Sequence, residues 1–376
     1  MSIPLSLYIH LPWCIRKCPY CDFNSHAIHQ ADIPEAAYID CLLRDFERQL
    51  PALQERDIIS IFLGGGTPSL FSAQGIARLL KAIAMLHPIA SDCEITLEAN
   101  PGTVEQQRFK GYREAGVNRI SLGVQSFQSE KLRLLGRIHD AEEAHRALEM
   151  IKTAGFLRFN VDVMHGLPQQ TLDDALFDLQ QMMQYQPTHV SWYQLTIEPN
   201  TYFHRQTPVL PDEEVLFDIE QQGLLLLEQQ GFQRYEVSAY AQAGQTCRHN
   251  LNYWLFGDYV GIGAGAHSKL SCQKTQQIKR HWNYRSPHTY MNAKESVVSN
   301  TSLLTPEDLV TEFMLNTLRV YQDISLELFE QRTFLSRTVL EPAMAAAVQK
   351  GLLSSQHALL VTPLGRRYLN DLCQLF

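Results

Sequence analysis

Short β-branched or apolar runs alternate with longer amphipathic stretches about six times, at roughly 30-residue intervals, through the first half of this chain. No other feature restricts the fold as strongly. The runs "LSLYIHL" (5–11), "IISIFLGGG" (58–66), "CEITLEAN" (93–100), "NRISLGVQ" (118–125), "RFNVDVMHG" (158–166) and "THVSWYQLT" (188–196) read as strands. Between them "SAQGIARLLKAIAMLH" (72–87), "DAEEAHRALEMIKTAG" (140–155) and "TLDDALFDLQQMMQY" (171–185) carry helical periodicity. Ser72 and Asp140 suit N-caps and Gly155 a C-cap. Repeated strand–helix units of this length imply βαβ crossovers, a parallel sheet and an α/β class, curled into a complete or partial barrel. In such barrels the chemistry gathers at the C-terminal strand ends. Here the cysteines of "WCIRKCPYCDF" follow strand one and Gly64–Thr67 follow strand two, while Glu98, Gln125 and Asp162 are read as closing strands three, four and five.

The second half differs. "FQRYEVSAYAQ" (232–242) reads as one further strand and "GDYVGIGAGAHS" (257–268) as a Gly-rich loop. From about Leu303 helical patterns dominate up to "LLVTPLGRRYLN" (359–370), which looks like a small winged-helix tail. Six Lys/Arg against eight Asp/Glu between 304 and 376 make that tail acidic and unsuited to reading DNA. The expected division is 1–240 for the barrel, 241–302 for a connector and 303–376 for the helical domain.

Composition narrows the function classes. A net charge of −8 argues against a nucleic-acid partner, which needs a basic face to displace counterions. The start "MSIPLSLYIHLPW" lacks the basic lead and small-residue cleavage site of a signal peptide, and "LLLL" (224–227) falls far short of a membrane span. Three of the eight cysteines fall within eight positions and the other five are scattered, which points to a metal site in a reducing, cytoplasmic setting.

Cys14-x3-Cys18-x2-Cys21 supplies three thiolates from one loop. Zinc would need a fourth ligand, for which His10, His26 or His29 can serve. Three thiolates alone suit a 4Fe–4S cluster with one iron left open to a cofactor. With Tyr20 before the last cysteine, the loop resembles the signature of the radical S-adenosylmethionine (SAM) family, C-x3-C-x-aromatic-C. That resemblance implies a partial (β/α)6 barrel and a cluster whose open iron is chelated by SAM. It also implies one-electron cleavage of SAM to a 5′-deoxyadenosyl radical, with electrons from a low-potential donor such as a flavodoxin or ferredoxin. "GGGTPS" (64–69) looks like the SAM-binding turn in the form typical of oxygen-independent coproporphyrinogen dehydrogenases and their relatives. By this resemblance Tyr8, Gly65, Gly66, Thr67, Glu98, Gln125, Arg137 and Asp162 fall on SAM-contacting positions.

Two features separate branches of that group. The dehydrogenases carry a further cysteine two residues after the third, where this chain has Phe23, and a longer N-terminal region. "HNLNYW" (249–254) matches the HNxxYW motif of the shorter, haem-binding chaperones. The resemblance therefore implies haem as a ligand, with His249 the preferred axial residue and Cys247 and His267 further candidates. It implies transfer to haem-requiring, respiratory acceptor proteins without coproporphyrinogen dehydrogenase activity. A homodimer and peripheral membrane contact are compatible with it, although no basic amphipathic anchor is visible. Two alternatives stay open: radical oxidative decarboxylation of coproporphyrinogen III, and a zinc-stabilised α/β barrel binding an unrelated ligand.

Overall fold

The computed structural model describes residues 3–102 and 108–376. Six strands, β1 (Leu5–Leu11), β2 (Ile58–Gly65), β3 (Ile89–Ala99), β4 (Arg119–Gln125), β5 (Phe159–His165) and β6 (His189–Gln194), lie side by side in sequence order. Each pairs in parallel with the next. Helices Ala73–Leu86, Ala141–Thr153 and Leu172–Met183 connect them, close to the expected ranges. Ser72 accepts from the Gly75 N–H, Asp140 forms a capping box with Glu143, and Gly155 adopts φ +82° just beyond its helix.

The strands alternate with period two, and that alternation creates the site. Leu7, Ile9, Leu63, Leu97, Ile120, Leu122, Val161, Val163 and Val190 belong to one apolar core shared with the helices. The intervening residues are largely polar (Ser6, Ser60, Glu98, Ser121, Asp162, Ser191), and they point into the lumen. Asp162 is in the middle of β5, not at its end; it reaches the site because it lies on the lumen face.

The sheet does not close. The "FQRYEVSAYAQ" segment is a hairpin, not one strand: β7 (Gln233–Glu236) and β8 (Ala239–Ala241) pair antiparallel, and β8 continues the sheet from β6. The Gly-rich "loop" is also sheet. β9 (Asp258–Ile262) pairs in parallel with the free edge of β1. An antiparallel meander follows, of β10 (His267–Cys272), β11 (Gln277–Asn283) and β12 (Val298–Leu303). Gly261 explains the misreading. A Cβ there would lie 2.1 Å from the His267 carbonyl oxygen, so a residue that lowers strand propensity is required by close backbone approach.

Helices Pro306–Thr317, Leu326–Thr333 and Glu341–Gln349, with a two-stranded ladder of Ile324–Ser325 and Ala358–Leu359, enclose a second core. Ile278 of the sheet extension and Phe256, in the turn that leads into β9, belong to that core too, and Arg319 lies over the Trp254 ring at 4.7 Å. No helix among the described residues is long and apolar enough to cross a membrane.

Candidate functional site

Cys14, Cys18 and Cys21 face a cavity of about 320 Å³ at the C-terminal mouth of the barrel. Gly65, Gly66, Thr67, Glu98, Gln125, Arg137 and Asp162 line the same cavity, so seven of the eight expected SAM positions converge on the cysteines. Tyr8 lies deeper in the lumen, bonded through its hydroxyl to His10 Nδ1 at 3.0 Å.

Each sulfur has a polar neighbour. The Thr67 hydroxyl donates to Cys14 Sγ at 3.3 Å, Arg137 Nη1 approaches Cys18 Sγ at 3.6 Å, and Ser25 Oγ lies 3.8 Å from Cys21 Sγ. Burial pushes the Cys14 and Cys21 thiols above their ordinary values, a cost that an iron centre would offset by binding the thiolates. Among the described residues no three His, Cys, Asp or Glu side chains converge as the ligands of a single ion do. Thiols spread round a cavity fit separate irons of a cluster better than they fit one zinc. His10 is spent as a fourth ligand, since its Nε2 bonds the Asn24 carbonyl at 2.9 Å.

The Gly65 N–H donates to Glu98 Oε2 at 3.1 Å, and Gly65 holds φ +115°. A side chain there is strained and would strike the His10 ring. Burial first, and Asp162 second, push the Glu98 carboxyl up to about 8. Burial also raises Asp162, against hydrogen bonds from Asn160 Nδ2 (2.7 Å) and the Ser121 hydroxyl (3.4 Å). Two buried carboxyls side by side in one cavity, both with raised affinity for a proton, are the electrostatic signature of a binding site. Gln125 adopts φ +72°, rare for a non-glycine residue, and accepts from the Tyr193 hydroxyl at 2.8 Å.

Sequence reasoning missed Asn100, which donates to Thr67 Oγ1 (2.9 Å) and accepts from Arg137 Nη2 (2.7 Å), linking two thiol partners. It also missed Ser191 and Tyr193, although their alternation with Val190 and Trp192 carries the lumen signal.

His249 lies apart from this cavity, in the short helix Arg248–Trp254 under the barrel. It is 3% exposed, bonded through Nδ1 to Ser60 Oγ at 3.1 Å and stacked on Phe62 at 5.0 Å. Among the described residues its Nε2 has no hydrogen-bond partner, and the ring borders a lumen pocket of about 300 Å³. Burial, then Arg119, drive its imidazole down to about 3. Cys247 is fully buried against Glu94 Oε1.

A partial barrel of six parallel strands whose mouth joins three cysteines to a glycine turn and lumen carboxylates defines a radical SAM protein, a class whose cofactors are a 4Fe–4S cluster and SAM. The radical SAM superfamily profile matches residues 8–180, and the HemN C-terminal domain profile matches 304–368. More narrowly, the chain belongs to the HemW family. It is 49% identical over 99% of its length to heme chaperone HemW of Haemophilus influenzae and 47% identical over 99% to that of Escherichia coli, covering 98% of each. The coproporphyrinogen III oxidase HemN of Escherichia coli shares the fold, with a TM-score of 0.83 at 24% identity, covering 100% of this chain and 90% of that one.

Proposed function

We propose that this protein is a haem chaperone. It binds haem and passes it to haem-requiring proteins, and its SAM-binding 4Fe–4S cluster sits beside the cargo. The observation that carries this reading is identity near one half, along the whole chain, to proteins named heme chaperone HemW. Phe23 supports it, because it stands where the dehydrogenases carry a further cysteine.

Cys14, Cys18 and Cys21 hold the cluster, and the cofactors supply one-electron reductive chemistry when bound. Gly65 and Gly66 line the cavity where the methionine end of SAM would lie and leave it clear of side chains, with Thr67 and Arg137 steadying the sulfurs beside it. Glu98 and Asp162 accept from its ammonium or ribose hydroxyls. Tyr8 and Gln125 close the lumen and the mouth around it. Respiratory proteins are the acceptors, and a flavodoxin or ferredoxin is the electron donor. The protein works in the cytoplasm.

Anaerobic protein incubated with SAM, a reductant and coproporphyrinogen III should form no protoporphyrinogen over many turnovers, while haemin should give a stoichiometric Soret band. Sustained porphyrinogen turnover would overturn the chaperone reading, as would the absence of haem binding.

A further inference from the structure

A second cavity, larger than the cluster pocket, opens beside it with a volume of about 700 Å³. Its lining includes Phe23, Tyr253, Tyr259, His267, Trp282 and Arg285, and it shares Phe23, Gly65 and Glu98 with the cluster pocket. We infer that this cleft is the haem site, with His267 as the axial ligand, Tyr259 and Trp282 against the macrocycle and Arg285 meeting a propionate. The inference rests on the haem-chaperone reading and assigns it a place.

The sheet extension builds this wall. His267 of β10 stands directly opposite Trp282 of β11 in the antiparallel register, so both side chains leave the same face. Their rings stack at 5.6 Å between centroids and 16° between planes. Tyr259, one strand further in, stacks on Tyr253 at 4.1 Å. The result is an aromatic floor from which one imidazole stands exposed to solvent. Drug-sized ligands take pockets of roughly 300–1,000 Å³ lined by such surface with a few placed polar groups.

Chemistry separates His267 from the other histidines. His10, in the same cleft, uses both ring nitrogens, one with the Tyr8 hydroxyl and one with the Asn24 carbonyl. His249 faces the barrel interior behind Tyr8 and Phe62, in a pocket less than half the volume of the cleft. Neither ring nitrogen of His267 has a hydrogen bond among the described residues. Partial burial, then the Arg280 and Arg285 charges, lower its affinity for a proton, which favours the neutral imidazole that can ligate iron. Arg285, at the rim just past β11, forms no ion pair among the described residues and is exposed. A guanidinium there matches a carboxylate in two parallel bonds.

The HNLNYW segment then has a different task. His249 packs on Tyr253 at 5.0 Å, and Asn252 ties the helix to Ser6 Oγ and to the Asp258 carbonyl. Tyr253 is the member of the motif that reaches the cleft. In this assignment His249 is a positioning residue and His267 the ligand.

The test is anaerobic haemin titration of the full-length protein with its cluster, read by absorbance and by EPR of the ferric haem. Wild type should show a histidine-ligated spectrum. His267→Ala should melt with wild type, lose that spectrum and weaken binding by about tenfold or more. His267→Cys should move the Soret band and g-values to those of thiolate ligation, a gain that a structural role cannot produce. Wild-type affinity and spectrum in His267→Ala, or their loss in His249→Ala alone, would overturn this site while leaving the chaperone reading in place. Failure of wild type to bind haemin would remove both.

Discussion

At the scale of single residues, Cys14, Cys18 and Cys21 sit in a cavity, and each has a donor or hydroxyl at its sulfur. Cys93 is buried in the core beside the Glu94 carbonyl. Replacing any of the three by alanine should abolish the reconstituted cluster's visible absorbance and its acid-labile sulfide. Cys93→Ala should keep both, and its loss of absorbance would mean the ligand set is misassigned. Glu98 gives a pH-dependent prediction. Its folded value of about 8 lies above its ordinary 4.5, so the fold holds the proton more tightly than the unfolded chain does. The stability gained is complete below the ordinary value and is lost as pH rises towards 8. In cluster-free protein, Glu98→Gln should therefore gain on wild type between pH 5 and pH 8, by on the order of 1 kcal/mol or more in urea unfolding. A difference independent of pH would show that Glu98 is not protonated in the fold. The cysteines were legible because their spacing is local in sequence. Asn100 and Tyr193 were not, because their partners Arg137 and Gln125 reach them only across the sheet.

At the scale of elements, the helices declared themselves through their caps. Ser72, Asp140 and Thr171 all accept from the N–H three residues on, and these starts follow from side-chain chemistry alone. The first six strands were equally legible because one face of each is continuously apolar. β9 and the start of β10 were hidden by Gly261, Gly263 and Gly265, residues that mark turns in most contexts. What places them in the sheet is nonlocal, the unpaired edge of β1 some 250 positions earlier in the chain, where Leu5 pairs with Asp258. Gly261→Ala tests this account. Its Cβ would meet the His267 carbonyl backbone, which cannot swing aside as a side chain could. The variant should lose about 1–3 kcal/mol of stability, with haem binding weakened as well because β10 carries His267. Unchanged melting would mean that the pairing of β9 with β10 is looser than described.

At the scale of the whole molecule, the cysteine loop and the aromatic cleft are tied together mechanically. Asn24 Nδ2 donates to the Ala264 carbonyl at 2.9 Å and to the Arg285 carbonyl at 3.0 Å, so the end of the cysteine loop is pinned to both rims of the cleft. Phe23, 64% exposed, borders both cavities from the adjacent position. The sequence marked Phe23 only as an absent cysteine; its place between two cavities needed the loop's fold and the return of β9 to β1. Such a joint makes cluster loading and haem binding partners in one equilibrium. A cluster that orders residues 14–24 removes part of the entropy cost of forming the cleft wall, so haem should bind more tightly to loaded protein than to the apo form. Couplings of this kind typically amount to about 1–3 kcal/mol, or roughly 5- to 150-fold in affinity. Haemin titration of reconstituted wild type against Cys18→Ala should show a difference at the lower end of that range. Asn24→Ala should shrink it while leaving cluster absorbance intact. Because linkage is reciprocal, haem-loaded protein should also hold its cluster against a chelator for longer. Equal haem affinities with and without the cluster would show two independent sites that merely share a wall.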